Sequence, residues 1–150
     1  MGQFFMLVLA GNSLVEIDVD DVEAVSGFDW KIGSGGYAVR HRDGKVELMH
    51  RVISGAADGV LVDHKNGNKL DNRRCNLRFC CHAENMRNRK ISKNNKSGFK
   101  GVYQQKNFWR AQIKYAGKKH LLGCFATPEA AHDAYCEAAK RLHGEFARFA

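Results

Sequence analysis

In the first half of the chain, apolar residues alternate with polar ones in short runs, the two-residue period of strands with one face covered. Residues 4–9 and 15–17 read as strands, with Gly11-Asn12-Ser13 as the turn between them. Residues 20–25 read as one short helix. Residues 30–32, 37–41 and 46–48, punctuated by the glycine-rich turn 33–36 and by Asp43-Gly44, predict a small hairpin-bearing sheet. A helical turn starts at His50-Arg51-Val52-Ile53. A strand at 60–64, a long polar loop at 65–75, a strand at 77–79 and a helix from 82 to about 89 follow.

The pattern lapses between 87 and 98, where Arg87, Arg89, Lys90, Lys93 and Lys96 stand among polar residues with almost nothing apolar. Such a stretch is a linker or a backbone-hugging arm. It predicts a first domain over 1–90 with its core at 50–90, a basic linker at 91–98 and a second domain over 99–150. In that second domain 101–105 is strand-like. Residues 109–115 alternate cleanly, with Trp109, Ala111, Ile113 and Tyr115 on one face and Arg110, Gln112 and Lys114 on the other. Ala116-Gly117-Lys118 is a turn and 119–125 a third strand. Thr127-Pro128-Glu129 starts a helix, combining an N-cap, a proline at the first helical position and an acid in the first turn. Ala131, Ala134, Tyr135, Ala138 and Leu142 recur at helical spacing as core, and Gly144 ends the helix. The expected class is α+β: a small β-rich N-terminal region with a strand–loop–strand–helix core, then a three-stranded antiparallel sheet packed on one helix.

The chemistry concentrates in that first core. Asp63, His64, Asn76 and Asn85 stand at relative positions 0, +1, +13 and +22, in the order strand, loop, helix. Asp63 is a hard oxygen ligand, and His64 can take a proton near neutral pH. Strand neighbours point to opposite faces, so Asp63 can touch a metal while His64 faces an attacking water. Asn85 supplies a neutral oxygen ligand, and Asn76 pins the loop or orients the imidazole. Together these residues supply what metal-assisted phosphodiester hydrolysis needs, without a nucleophilic side chain. His50 either supports this site, touches phosphate or starts its helix. Arg73, Arg74 and Arg78 are candidates for phosphate contact against a plain solvated face.

The residues His50-Arg51-Val52-Ile53, Asp63-His64-Lys65-Asn66-Gly67-Asn68, Asn76-Leu77-Arg78 and Glu84-Asn85 resemble the HNH endonucleases of the ββα-metal class, in the branch of phage and intron homing enzymes. The resemblance covers about a quarter of the chain. It implies His64 as general base, Asp63 and Asn85 as ligands of one divalent cation, and Asn76 as a loop-positioning amide. Where many relatives end the motif with His, this chain has Asn85, which favours Mg²⁺, or another hard cation such as Mn²⁺, over Zn²⁺ at that position.

Charge adds a partner. The chain of 150 residues has a formal charge of +8, unevenly spread: residues 1–60 hold 5 Lys/Arg against 9 Asp/Glu, and residues 61–150 hold 19 against 7. A basic half this lopsided suits nucleic acid. The five cysteines, Cys75, Cys80, Cys81, Cys124 and Cys136, are odd in number and lack a CxxC pair, so disulfides are not expected. Adjacent Cys80 and Cys81 diverge on a regular backbone, so structural Zn²⁺ is not expected either. No apolar run approaches the roughly 20 residues of a membrane span, and an intracellular, cytoplasmic location is expected. No heptad or dimer stripe is evident, which favours a monomer.

Phe99-Lys100-Gly101-Val102-Tyr103, Trp109-Arg110-Ala111-Gln112-Ile113, Gly117-Lys118-Lys119, Leu122-Gly123-Cys124-Phe125 and Glu129-Ala130-Ala131 through Ala134-Tyr135 to Ala138-Ala139 resemble the APETALA/ethylene-response-factor DNA-binding domain over 97–147. That resemblance implies a sheet entering the major groove, with Lys100, Tyr103, Gln105, Arg110, Gln112, Lys114 and Lys119 at the matching positions. Tyr103, Gln105 and Leu121 stand where plant members carry arginines and a second tryptophan, so base preference differs. The expected protein is a divalent-metal-dependent endonuclease acting on double-stranded DNA. Its rivals are a non-cleaving DNA-binding regulator on a vestigial nuclease fold, and an RNA-directed nuclease or binder.

Overall fold

The chain is α+β in a computed structural model that describes residues 5–92 and 94–149. Two compact units divide it, Met1–His82 and Ala83–Ala150. In the first, strands β1 (Phe5–Ala10) and β2 (Ser13–Asp18) pair antiparallel around the turn at Gly11. Phe4, the expected first residue of this strand, lies outside the described residues. A 3-10 turn at Val19–Asp21 runs into the short helix α1 (Val22–Val25). Strands β3 (Lys31–Ile32), β4 (Ala38–Arg42) and β5 (Lys45–Leu48) form the small antiparallel sheet, and helix α2 (Met49–Ser54) follows directly. Strands β6 (Leu61–His64) and β7 (Leu77–Cys80) pair antiparallel, with the loop 65–76 between them. Helix α3 (His82–Arg87) ends two residues before the expected stop.

One core joins the β1–β2 hairpin, α1, β4, α2 and the β6–β7 pair. Ala10, Val15 and Ile17 from the hairpin, Val25, Trp30, Ala38, Met49 and Ile53 of α2, and Leu77 of β7 form a single buried cluster. Trp30 is placed by more than packing, since its indole Nε1 donates to the Val25 carbonyl at 2.9 Å. The acidic N-terminal stretch, whose role the pattern leaves open, is therefore the other half of the core that holds the motif strands.

In the second unit β8 (Val102–Gln105), β9 (Phe108–Tyr115) and β10 (Lys118–Phe125) form an antiparallel sheet in the order β10-β9-β8. Helix α4 (Pro128–His143) covers one face. Thr127 caps it, its hydroxyl accepting from the Ala130 N–H at 3.2 Å, and Pro128 follows in the first turn. Ala131, Tyr135, Ala138 and Ala139 of α4 meet Val102, Ala111 and Ile113 of the sheet. Ala139 belongs to this core although the helical spacing singled out Ala134, which is half-buried. Gly101 precedes β8 rather than starting it: its φ is +73°, and a Cβ there would lie 2.2 Å from the Tyr135 ring and 2.7 Å from the Gln112 carbonyl.

The unit boundary falls at the start of α3, ahead of the basic stretch 91–98 that the sequence marks as a linker. The reason is local. The Lys100 ammonium donates to the carbonyls of Arg87 and Arg89 at 2.7 and 2.8 Å, and the Arg87 guanidinium lies over the Tyr115 ring, tying the end of α3 to the second unit.

Candidate active site

The β6–β7 register places Asp63 directly opposite Arg78 and His64 opposite Leu77. Arg78 Nε and Nη2 both donate to Asp63 Oδ2, at 3.0 and 2.8 Å, with each side chain only 7% exposed. Among the phosphate-contact candidates, Arg78 is therefore the partner of the expected metal ligand. A hairpin register gives the signal: two strands joined across this loop put residues 63 and 78 face to face.

His64 is 4% exposed and oriented by a residue the motif reading passed over. Its Nε2 meets Asn72 Oδ1 at 2.8 Å inside the core. Asn72 Oδ1 only accepts, so Nε2 carries the hydrogen and the lone pair of the neutral ring sits on Nδ1. Burial lowers the His64 pKa, opposed by the Asn72 hydrogen bond and by the charges of Asp63 and Asp71. The ring stands edge-on to His50, centroids 5.0 Å apart, with Tyr37 at 5.8 Å from His64 and 5.1 Å from His50. His50 is buried on α2 and its pKa falls to about 4, through burial first and then the neighbouring His64 and Arg51. Burial and the Asp63 charge raise the Tyr37 hydroxyl. His50 thus lies in the site as a neutral imidazole wall.

Asn76 is bonded within the motif loop. Its Oδ1 accepts from the Asn66 N–H at 3.0 Å and its Nδ2 donates to the Asp71 carbonyl at 2.7 Å, closing the loop from both ends. The Asn66 side chain adds bonds to Asp71 Oδ2 at 2.7 Å and to the Asn68 N–H at 2.7 Å, and Gly67 turns with φ +70°. Strand β2 straps this loop from outside. Glu16 N–H donates to the Leu70 carbonyl and Asn72 N–H donates to the Glu16 carbonyl, both at 2.8 Å. So the amide that orients His64 is itself held by the N-terminal hairpin.

Arg73 and Arg74 have carboxylate partners. Arg73 bonds Asp71 at 2.7 and 2.8 Å and reaches Glu16 at 3.1 Å, and its hydrogen bond holds the Asp71 carboxyl below its ordinary range. Arg74 bonds Asp21 at 2.6 Å through Nη2, while its N–H donates to Asp18 Oδ2 at 2.7 Å. These partners lie more than fifty residues upstream, beyond the reach of any local pattern. Arg51 likewise works inside the fold, donating to the Ala57 carbonyl at 2.7 Å and to Ala56 at 3.3 Å.

Asn85 lies half-buried on α3, in the second unit. In that unit the sheet face away from α4 carries Tyr103, Arg110, Gln112, Lys114 and Lys119, with Gln105 half-buried at its edge. Lys100 departs from this set. Its ammonium is turned inward onto the Arg87 and Arg89 carbonyls, and burial with the Arg148 charge lowers its pKa to about 8. Among the described residues no three His, Cys, Asp or Glu cluster at metal-binding distance, no disulfide forms, and no helix is long and apolar enough to cross a membrane.

Comparison with known proteins converges on the same segment. The family model described as HNH endonuclease matches residues 47–87, from the end of β5 through α3. An HNH endonuclease of Acanthamoeba polyphaga mimivirus is 30% identical over 149 residues, covering 96% of this chain and 78% of the relative. Protein 3.8 of Escherichia phage T7 is 36% identical over 93 residues, 61% of this chain and 76% of its own length. Among solved structures, the HNH homing endonuclease I-HmuI aligns over 85% of this chain and 77% of that chain, at 22% identity and a TM-score of 0.35, too distant for positions to be carried across. Matched by the family model over residues 47–87 and by the mimivirus relative over 96% of its residues, the chain belongs to the HNH endonuclease family and is a nuclease, a phosphodiester hydrolase.

Proposed function

We propose that the protein is a divalent-metal-dependent endonuclease of double-stranded DNA in which His64 is the general base. The observation that carries this reading is the buried His64 imidazole, fixed by Asn72 and set beside the Asp63 carboxylate on one strand. With Nε2 donating to Asn72, Nδ1 takes a proton from water, and the hydroxide attacks phosphorus in line with the leaving 3′ oxygen. The P–O bond breaks, and the departing oxygen is protonated from solvent. Asn76 acts indirectly, by holding the loop that carries Asn72.

Asp63 and Asn85 are the proposed cation ligands, and each offers an oxygen of the kind Mg²⁺ or Mn²⁺ accepts. The Arg78 guanidinium, bonded to Asp63 Oδ2, fixes the orientation of the carboxylate that would hold the cation. When bound, such a cation neutralises charge on the scissile phosphate and the leaving oxygen. The sheet of the second unit, read as APETALA/ethylene-response-factor-like, is the proposed duplex-binding surface through Tyr103, Gln105, Arg110, Gln112, Lys114 and Lys119.

The test is supercoiled plasmid incubated with Mg²⁺ and either wild-type protein or His64→Ala. General-base loss predicts a fall in nicking rate on the order of 10²- to 10⁴-fold, with duplex binding retained. Nicking at the wild-type rate would remove His64 from the mechanism.

A further inference from the structure

The outward face of the β8–β9–β10 sheet is arranged in rows, and the rows differ in chemistry. Its twenty strand residues contain no Asp or Glu. At one end Lys119 lies directly opposite Lys114, a like-charge pair that disfavours the sheet until an anion sits against it. At the other end Tyr103 and Cys124 flank Arg110 from the neighbouring strands. Between these rows Gln112 of β9 faces Leu121 of β10.

Leu121 is out of character there. It is 57% exposed on a face of lysines and amides, while its neighbour Leu122 supplies the core contact behind the sheet. The register shift between Leu121 and Gly123 separates the two, inserting Leu122 as the extra residue and leaving Leu121 outward. An aliphatic side chain beside an amide, flanked by cations, is complementary to one kind of surface. An A·T pair presents in the major groove an acceptor and a donor on adenine, which a glutamine amide matches, and a methyl group on thymine. Cross-strand neighbours stand about 5 Å apart, so both can meet the edge of one base pair.

We propose that Gln112 and Leu121 together read one A·T base pair in the major groove, Gln112 on the adenine edge and Leu121 on the thymine methyl. This rests on the sheet being the duplex-binding surface. Lys114 and Lys119 then lie along the phosphates beside that pair, and supply affinity without sequence preference.

The test uses the His64→Ala chain, expected to bind without cutting, and a random duplex library. The enriched duplex is resynthesised with deoxyuridine replacing each thymidine in turn, which removes only the methyl. One replacement is expected to weaken binding about fourfold, the effect of one methyl-sized group. Adding Leu121→Ala is expected to abolish that sensitivity, and Gln112→Ala to relax preference at the same base pair. Lys114→Ala is expected to weaken binding to all sequences alike. Indifference to Lys114→Ala would overturn the assignment of the sheet as the DNA surface. A Lys114 effect without thymine sensitivity, or sensitivity that survives Leu121→Ala, would overturn the base-reading inference alone, as would a library that yields no enriched sequence.

Discussion

His50 carries the clearest pH signature of any single residue near the site. Its pKa in the fold is about 4, against an ordinary value of 6.5, because burial and the neighbouring His64 and Arg51 penalise the charged ring. A base whose pKa is lowered by folding binds its proton more readily in the unfolded chain. The stability tied to a neutral His50 is therefore complete above pH 6.5 and lost as pH falls toward 4. The gap corresponds to about 3 kcal/mol at most. Urea unfolding at pH 7 and pH 4.5 should show wild type losing more stability than His50→Phe, which keeps a ring but cannot titrate. Equal losses would mean that His50 is not held neutral. The sequence names His50 but not its state, because the state depends on Tyr37 and His64 coming from other elements. The same holds for Asn72. Asp63, His64 and Asn76 are legible as a spaced motif, whereas Asn72 becomes meaningful only once the loop folds back to meet His64.

At the scale of elements, alternation and caps located most strands and helices, since those signals are local: the 109–115 alternation is β9, and Thr127-Pro128 opens α4. What local signals miss is how elements are fastened. Strand β2 is legible as a strand, but not as the strap that bonds Leu70 and Asn72 through Glu16. Gly101 shows the same limit. It reads as the first residue of a strand, yet it is a turn residue with φ +73° pressed against α4. Gly101→Ala would bring a methyl within 2.2 Å of the Tyr135 ring and 2.7 Å of the Gln112 carbonyl, on a backbone that side chains disfavour. Overpacking and the positive φ together should cost about 3 kcal/mol. Chemical denaturation of the full chain would report this as a lower midpoint. An unchanged midpoint would show that the close approach of β8 and α4 is loose enough to yield.

Across the whole molecule the charge map changes once the pairs are known. By sequence the positive excess begins at residue 61, but Arg73, Arg74 and Arg78 are matched by Asp71, Glu16, Asp21 and Asp63. Glu16 and Asp21 of the acidic N-terminal stretch thus neutralise motif-loop arginines, while Asp20, Glu23, Asp29, Asp43 and Asp58 stay exposed. The excess that remains lies chiefly in residues 83–150, with 14 Lys/Arg against 5 Asp/Glu. Binding to duplex DNA should therefore weaken steeply with salt, and the slope should respond only to cations that meet phosphate. Lys114→Ala should flatten the plot of log K against log salt by about 0.9. Arg74→Ala should leave that slope unchanged and lower stability instead, because Asp21 stays buried without its partner. Fluorescence anisotropy of the His64→Ala chain on one labelled duplex, titrated at several salt concentrations, separates the two. Equal slopes for wild type and Lys114→Ala would place the phosphate contacts elsewhere on the chain, whereas a flatter slope for Arg74→Ala would mean that its ion pair with Asp21 opens when DNA binds.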